Sequence, residues 1–145
     1  MVDDLYQETI LDHSKRPRNF HIMPDANRTA NGYNPLCGDK LKLFLKMDND
    51  IVRDASFEGC GCAISTASAS LMTESLKGKT REEALKLLEK FHELLTKDAA
   101  STQDLGKLVV FCGVRDYPAR VKCATLAWHT LKSALNGATD PVTTE

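Results

Sequence analysis

The sequence predicts an α+β domain in which a small antiparallel sheet packs against several helices. Three observations carry this. Lys40-Leu41-Lys42-Leu43-Phe44-Leu45-Lys46-Met47 alternates Leu41, Leu43 and Leu45 with lysines, the period of a half-buried strand. Asp48-Asn49-Asp50 is a turn, and residues 51–57 read as the returning strand of a hairpin with one wet face. From Ala63 onward the apolar spacing changes to that of helices.

The remaining elements follow in order. Leu5, Thr9, Ile10 and Asp12-His13 sit on a helical opening segment that Pro17 ends, and residues 18–35, rich in Asn, Pro and Gly, are expected to be loop. After the hairpin, Gly59-Cys60-Gly61-Cys62 breaks the strand. A helix is expected over residues 63–76, with Ile64, Leu71, Met72 and Leu76 on one face amid small Ser, Thr and Ala residues. Gly78 ends it and Thr80 caps the next, whose first turn holds Glu82 and Glu83 and whose body carries Leu85, Leu88, Phe91 and Leu95. Residues 97–106 are polar, and the apolar run of residues 108–111 fits a helical turn or a strand equally. Asp116-Tyr117-Pro118 starts a last helix with Val121, Ala124, Trp128, Leu131 and Leu135 as its stripe, and Asn136-Gly137 stops it. Residues 1–137 thus read as one domain and residues 138–145 as a flexible polar tail.

A chain of 145 residues can bury a core without staples, so a bound metal is read as functional before structural. The composition is 42% hydrophobic and 27% charged with a net charge of −1, which leaves no electrostatic footprint for nucleic acid or a membrane surface. No apolar stretch is long enough to cross a bilayer, and the start, Met1-Val2-Asp3-Asp4-Leu5, is acidic where a secretory signal is basic and then apolar. A cytoplasmic location is expected. The five cysteines are an odd number outside any small secreted framework, so reduced thiols committed to metal or sulfur chemistry are expected rather than disulfides.

Cys37-Gly38-Asp39, Gly61-Cys62-Ala63 and Arg120-Val121-Lys122-Cys123 together supply a four-ligand set of Cys₃Asp type. Cys37 and Asp39 are two residues apart, so in an extended segment both side chains point to one side and can close on one ion. Cys62 and Cys123 come from elsewhere, unlike a zinc knuckle that grips its metal locally. Glycine flanks Cys37, Asp39 and Cys62, where close backbone approach is needed. Cys62, just before one helix, and Cys123, in the N-terminal half of another, are expected to be unusually thiolate-like. Arg120, one turn before Cys123, adds a positive charge that offsets part of the formal −2 of Zn²⁺ with three thiolates and a carboxylate. Carboxylate is the hardest and least retentive of the four ligands, which points to a site that exchanges a ligand.

Other residues carry less. Cys112, after Val109-Val110-Phe111, reads as a small buried hydrophobe. Cys60 forms a Cys-x-Cys pair with Cys62 and reads as a non-ligand, with an alternative ligand role open. His92 and His129 lack a metalloprotease-type partner at helical spacing, and none can be named for His13 or His21. Gly78-Lys79-Thr80 resembles the end of a phosphate loop, but Thr73 stands where that loop needs glycine and no strand precedes it, so a nucleotide site is rejected. A Cys–His hydrolase would leave the Cys-x-Asp pair and the other thiols unexplained.

Asn34-Pro35-Leu36-Cys37-Gly38-Asp39, Gly59-Cys60-Gly61-Cys62-Ala63-Ile64-Ser65 with Ala67-Ser68-Ala69-Ser70, and Lys122-Cys123-Ala124-Thr125-Leu126-Ala127 resemble the three cysteine motifs of the U-type iron–sulfur cluster assembly proteins, the IscU/SufU/NifU-N family. The resemblance runs from about Leu5 to Asn136. It implies an α+β fold with a three-stranded antiparallel sheet, a metal site exposed at one end, and a pyridoxal-phosphate cysteine desulfurase as partner. The scaffold branch has His before its third cysteine where this chain has Lys122, and a Leu-Pro-Pro-Val-Lys motif where this chain has Asp116-Tyr117-Pro118-Ala119-Arg120-Val121-Lys122. The interval between Cys62 and Cys123, longer by a short helix, and Arg120 resemble the SufU-type, zinc-dependent sulfurtransferase branch instead. That resemblance implies zinc held by Cys37, Asp39, Cys62 and Cys123. A SufS-like desulfurase would pass sulfur to a thiolate, Cys37, freed when a partner side chain takes its coordination place, with Arg120 stabilising the anionic sulfur. Downstream iron–sulfur assembly machinery would receive it. The alternatives are a scaffold for a transient [2Fe–2S] cluster on the same ligands, with iron in place of zinc, and a non-catalytic zinc-stabilised binding module.

Overall fold

Alternation of apolar and charged residues marks β2 (Asp39–Asp48), an interior strand of the sheet. Leu41, Leu43 and Leu45 are buried on its inner face, while Lys40 is exposed. The structure is a computed structural model that describes residues 2–35, 37–96, 105–137 and 142–143. β2 pairs antiparallel with β3 (Ile51–Cys60) through a turn in which Asn49 (φ 51°) and Asp50 (φ 65°) both take the left-handed conformation that a two-residue hairpin requires.

On its other edge β2 pairs antiparallel with β1 (Arg28–Asn34), a strand within the stretch expected to be loop. The reason is compositional. Its buried positions are Ala30, Gly32 and Asn34, so the period-two burial is real while the apolar signal is absent. A short β4 (Val142–Thr143) adds parallel to β1 at Gly32 and Tyr33, which makes a mixed four-stranded sheet in the order β3-β2-β1-β4 rather than a three-stranded antiparallel one. Of the tail, only these two residues lie among those described.

The helices cover one face of the sheet. α1 (Val2–Lys15) is tied to α2 (Ala63–Leu76) by a 2.7 Å hydrogen bond between buried His13 Nδ1 and Ser70 Oγ. α2 starts and stops as expected. Its small residues explain themselves by contact: Ser68 Oγ donates to Ala124 O at 2.5 Å and accepts from Trp128 Nε1 at 3.1 Å, which seats α2 against α4 (Pro118–Leu135). α3 (Arg81–Thr96) opens with a reciprocal capping box, Glu83 N–H to Thr80 Oγ1 at 3.1 Å and Thr80 N–H to Glu83 Oε1 at 3.0 Å. It buries Ala84, Leu87, Phe91, Leu94 and Leu95, leaving the expected Leu85 and Leu88 only partly buried beside them. The ambiguous apolar run lies within 3₁₀ turns (Gly106–Asp116), where Phe111 meets Phe91, itself stacked on Trp128 at 4.6 Å. α4 is buried over all of residues 123–128 because it lies between the sheet and the other helices, more than a single stripe. Among the described residues no helix is long and apolar enough to cross a membrane.

Candidate metal centre

The ends of three elements meet at one edge of the sheet. β1 and β2 are in register to their ends, where Asn34 faces Asp39, so the connection carrying Cys37 and Gly38 is short and places Cys37 next to Asp39. Gly38 takes φ +74°, a conformation that glycine adopts without strain. α4 reaches the same point because Gly32 has no side chain: a Cβ there would collide with Thr130 Oγ1, two helical turns beyond Cys123.

The result is a cluster in which ligand atoms of Cys37, Asp39 and Cys123 all lie within 4.8 Å of one another. Cys123 Sγ is 3.2 Å from Cys37 Sγ. Thiolates each about 2.3 Å from a tetrahedral zinc are about 3.8 Å apart, so the pair need separate only slightly around an ion. Cys62 stands outside that group of three but against it. It is the N-cap of α2, its Sγ accepting from Ser65 N–H at 3.4 Å, and its own N–H donates to Asp39 Oδ1 at 2.9 Å. Cys37, Cys62 and Cys123 all line one cleft of about 880 Å³ between α1, the 3₁₀ turns and the start of α4.

Asp39 is 1% exposed and doubly held, by Cys62 N–H on Oδ1 and by Asn34 Nδ2 on Oδ2 at 3.0 Å. The glycine expected to allow close approach is needed for it. A Cβ on Gly61 would stand 2.6 Å from Asp39 Oδ1. Asn34 has no role in the sequence reading, yet it bonds both Asp39 and Cys123; a polar residue before a proline gives no signal of which distant groups it will meet.

Thiolate character at Cys123 is not what the fold alone supplies. α4 begins at Pro118, so Cys123 lies past the first turn and is 2% exposed. Burial pushes its thiol well above the usual range, and hydrogen bonding with Cys37, Cys62 and Asp39 raises it further. Two soft sulfur donors and a fixed carboxylate packed together fit a divalent cation, whose charge reverses that preference and deprotonates a coordinating thiol.

The other expectations separate cleanly. Cys60 is exposed and in register with Lys40, on the strand face opposite Asp39, and belongs to no ligand cluster among the described residues. Cys112 is half-buried against the core. Arg120 is on the cleft rim, its guanidinium 4.8 Å from the centre of the Tyr117 ring. His92 and His129 face each other with ring centres 6.3 Å apart and are not members of the ligand cluster.

Residues 5–135 match the family described as the NifU-like N terminal domain. The chain belongs to that family. Within it, the chain is 44% identical over 135 residues to the zinc-dependent sulfurtransferase SufU of Bacillus subtilis, covering 92% of this chain and 91% of that protein. It is 42% identical to the iron–sulfur cluster assembly scaffold protein IscU of Streptococcus pyogenes, covering 92% of this chain and 84% of the relative. A crystal structure of a putative iron–sulfur cluster assembly scaffold protein for the SUF system from Fervidobacterium islandicum superposes with a TM-score of 0.85 at 38% identity, over 88% of this chain and 94% of that one. The α+β class expected for this IscU/SufU family is the class observed.

Proposed function

We propose that this NifU-like N-terminal domain protein acts in iron–sulfur cluster biogenesis in the cytoplasm, accepting and carrying persulfide sulfur from a SufS-like, pyridoxal-phosphate cysteine desulfurase to downstream assembly machinery. The observation that carries the reading is an exposed thiol, Cys37, set against a buried thiol and a buried carboxylate at the mouth of a cleft. Cys37, Asp39, Cys62 and Cys123 would hold zinc, which when bound keeps thiols deprotonated at neutral pH and limits their oxidation.

Cys37 is the acceptor because it is the exposed member of the set. Its thiolate attacks the outer sulfur of the donor persulfide; a new S–S bond forms on Cys37 as the donor's S–S bond breaks, and the donor cysteine leaves as a thiolate. No net oxidation occurs. Asp39, Cys62 and Cys123 stay in place, and Arg120, on the cleft rim, stabilises the anionic terminal sulfur. The name of the Bacillus subtilis relative supports this branch.

A second reading, a scaffold for a [2Fe–2S] cluster on the same ligands, is favoured by the relatives named as scaffolds. Lys122, where the scaffold branch carries a histidine before its third cysteine, weighs against it. Elemental analysis of the protein as isolated, followed by a desulfurase-stimulation assay, separates the possibilities. Zinc with stimulation supports sulfur relay; iron with acid-labile sulfide supports the scaffold; zinc without stimulation reduces the protein to a zinc-stabilised binding module. Within the relay reading, Cys37→Ala abolishes persulfide labelling by mass spectrometry and leaves the fold intact. Labelling that persists in that variant overturns the acceptor assignment.

A further inference from the structure

We propose that Asn34 is the positioning residue of the metal centre, its side-chain amide fixing the carboxylate of Asp39 and the sulfur of Cys123 toward the same ion. The inference rests on the reading of these residues as ligands. Asn34 ends β1 and is 1% exposed. Its Nδ2 has two protons to donate and two acceptors within reach, Asp39 Oδ2 at 3.0 Å and Cys123 Sγ at 3.4 Å. These acceptors belong to different layers, the sheet and α4, so one planar group sets the angle between an oxygen ligand and a sulfur ligand. With Cys62 N–H on the other carboxylate oxygen, Asp39 has no freedom to swing.

The opposite end of the amide gives a separate argument. Asn34 Oδ1 is buried without a hydrogen-bond partner among the described residues. A buried acceptor left unmatched destabilises the fold, and an apolar side chain of the same shape would avoid that. What the apolar side chain lacks is the pair of N–H groups. Turning the amide over would set its oxygen against the Asp39 carboxylate, so the orientation follows from repulsion between acceptors. Donors on ligand atoms act in two ways: they fix the rotamer of the ligand, and they stabilise the negative charge that it carries when coordinated. Asn34 does so for two ligands at once, and Gly32, by admitting α4, brings the second within reach.

The test is zinc affinity of the full chain by competition with a chromophoric chelator, for the wild type, Asn34→Ala and Asp39→Ala, with far-UV circular dichroism on each. Asn34→Ala is expected to keep its helical signal and to bind zinc about 10–100-fold more weakly, the usual effect of removing a partner of a ligand. Wild-type affinity in a folded Asn34→Ala overturns the proposal. A second measurement uses the wild type only. In protein loaded with ¹¹³Cd, a side-chain amide proton of Asn34 should show scalar coupling to the metal through Cys123 Sγ, and its absence overturns the proposal whether or not the variant folds. If Asp39→Ala binds zinc as the wild type does, the ligand reading itself has failed; if Asp39→Ala is weakened and Asn34→Ala is not, only the role of Asn34 has.

Discussion

Adding a single methyl group at Gly61 tests whether the backbone is shaped around the Asp39 carboxylate. A Cβ there would lie 2.6 Å from Asp39 Oδ1, 3.1 Å from its Cγ and 3.2 Å from its Cβ. The carboxylate must yield, and its other oxygen is anchored to Asn34 at 3.0 Å, so yielding means losing the 2.9 Å bond from Cys62 N–H. A hydrogen bond to a charged group contributes about 1.5–3 kcal/mol. Replacing glycine by alanine returns about 0.4–1 kcal/mol by restricting the unfolded chain. The net loss is about 1–2 kcal/mol, a drop in Tm of roughly 2–8 °C for a domain of this size. Zinc affinity, measured by chelator competition, should fall about 10–100-fold because a proposed ligand has lost its orientation. Gly78→Ala is the control. That residue has φ +86° and open space around it, so its alanine variant carries strain of about 1 kcal/mol far from the thiols and should bind zinc as the wild type does. Unchanged affinity and Tm in Gly61→Ala would refute the argument, as would an equal loss of affinity in Gly78→Ala.

Two further outcomes follow from the same geometry. Cys62 is both the N-cap of α2 and a candidate ligand; Cys62→Ser should keep the cap and lose zinc affinity, whereas Cys62→Ala should lose affinity and also about 0.5–2 kcal/mol of stability, read from denaturant unfolding of the two metal-free variants. Equal stability of the two would show that the cap contributes nothing. Burial first, then the charge of Arg18, holds the buried His13 below its ordinary value of 6.5, and burial followed by His92 does the same for His129. The unfolded chain therefore binds protons before the native one. Stability is complete above the unfolded value and is lost as pH falls from about 6.5 toward the lower native values, at no more than about 1.4 kcal/mol per pH unit for each group. A Tm series from about pH 7.5 to about pH 5 should fall less steeply in His13→Gln than in the wild type, and parallel curves would remove His13 from the account.

The parts of the fold that were legible in the sequence are those whose burial is apolar. The leucines of β2, the asparagine–aspartate turn and the helix signals at Thr80, Pro118 and Gly78 each bind a residue type to a local conformation, and the structure has them. β1 was hidden because its inner face is Ala30, Gly32 and Asn34, residues selected for what α4 and Asp39 need rather than for hydrophobicity. β4 is two residues long, too short for any period. At the candidate site, residue chemistry and the glycines pointed to Cys37, Asp39, Cys62 and Cys123, and the structure gathers Cys37, Asp39 and Cys123 with Cys62 alongside. Asn34 stands in the first cysteine motif, but its partners lie in other elements and leave no local signal, and the acidity of Cys123 depends on its burial as well as on its place in the helix.

If zinc is held as proposed, ligand softness and geometry disagree about which ligand would leave, and magnitudes decide. Softness selects Asp39, as the hard ligand among thiolates. Asp39 is within the β1–β2 ladder, 1% exposed and held on both oxygens, so swinging it away would break its hydrogen bonds from Cys62 and Asn34, about 1.5–3 kcal/mol each. Cys123 is buried in α4, and moving Cys62 would uncap α2. Cys37 lies in the connection beyond the last ladder pair, exposed, before a glycine at φ +74°, and turning it into the cleft breaks no backbone hydrogen bond of the sheet. Alkylation of the zinc-loaded protein by a small haloacetamide, mapped by mass spectrometry, should therefore modify the exposed Cys60 first, Cys37 next, and Cys62 and Cys123 last. Modification of Cys123 ahead of Cys37 would mean that the buried side of the centre opens first, and would move the proposed sulfur acceptor off Cys37.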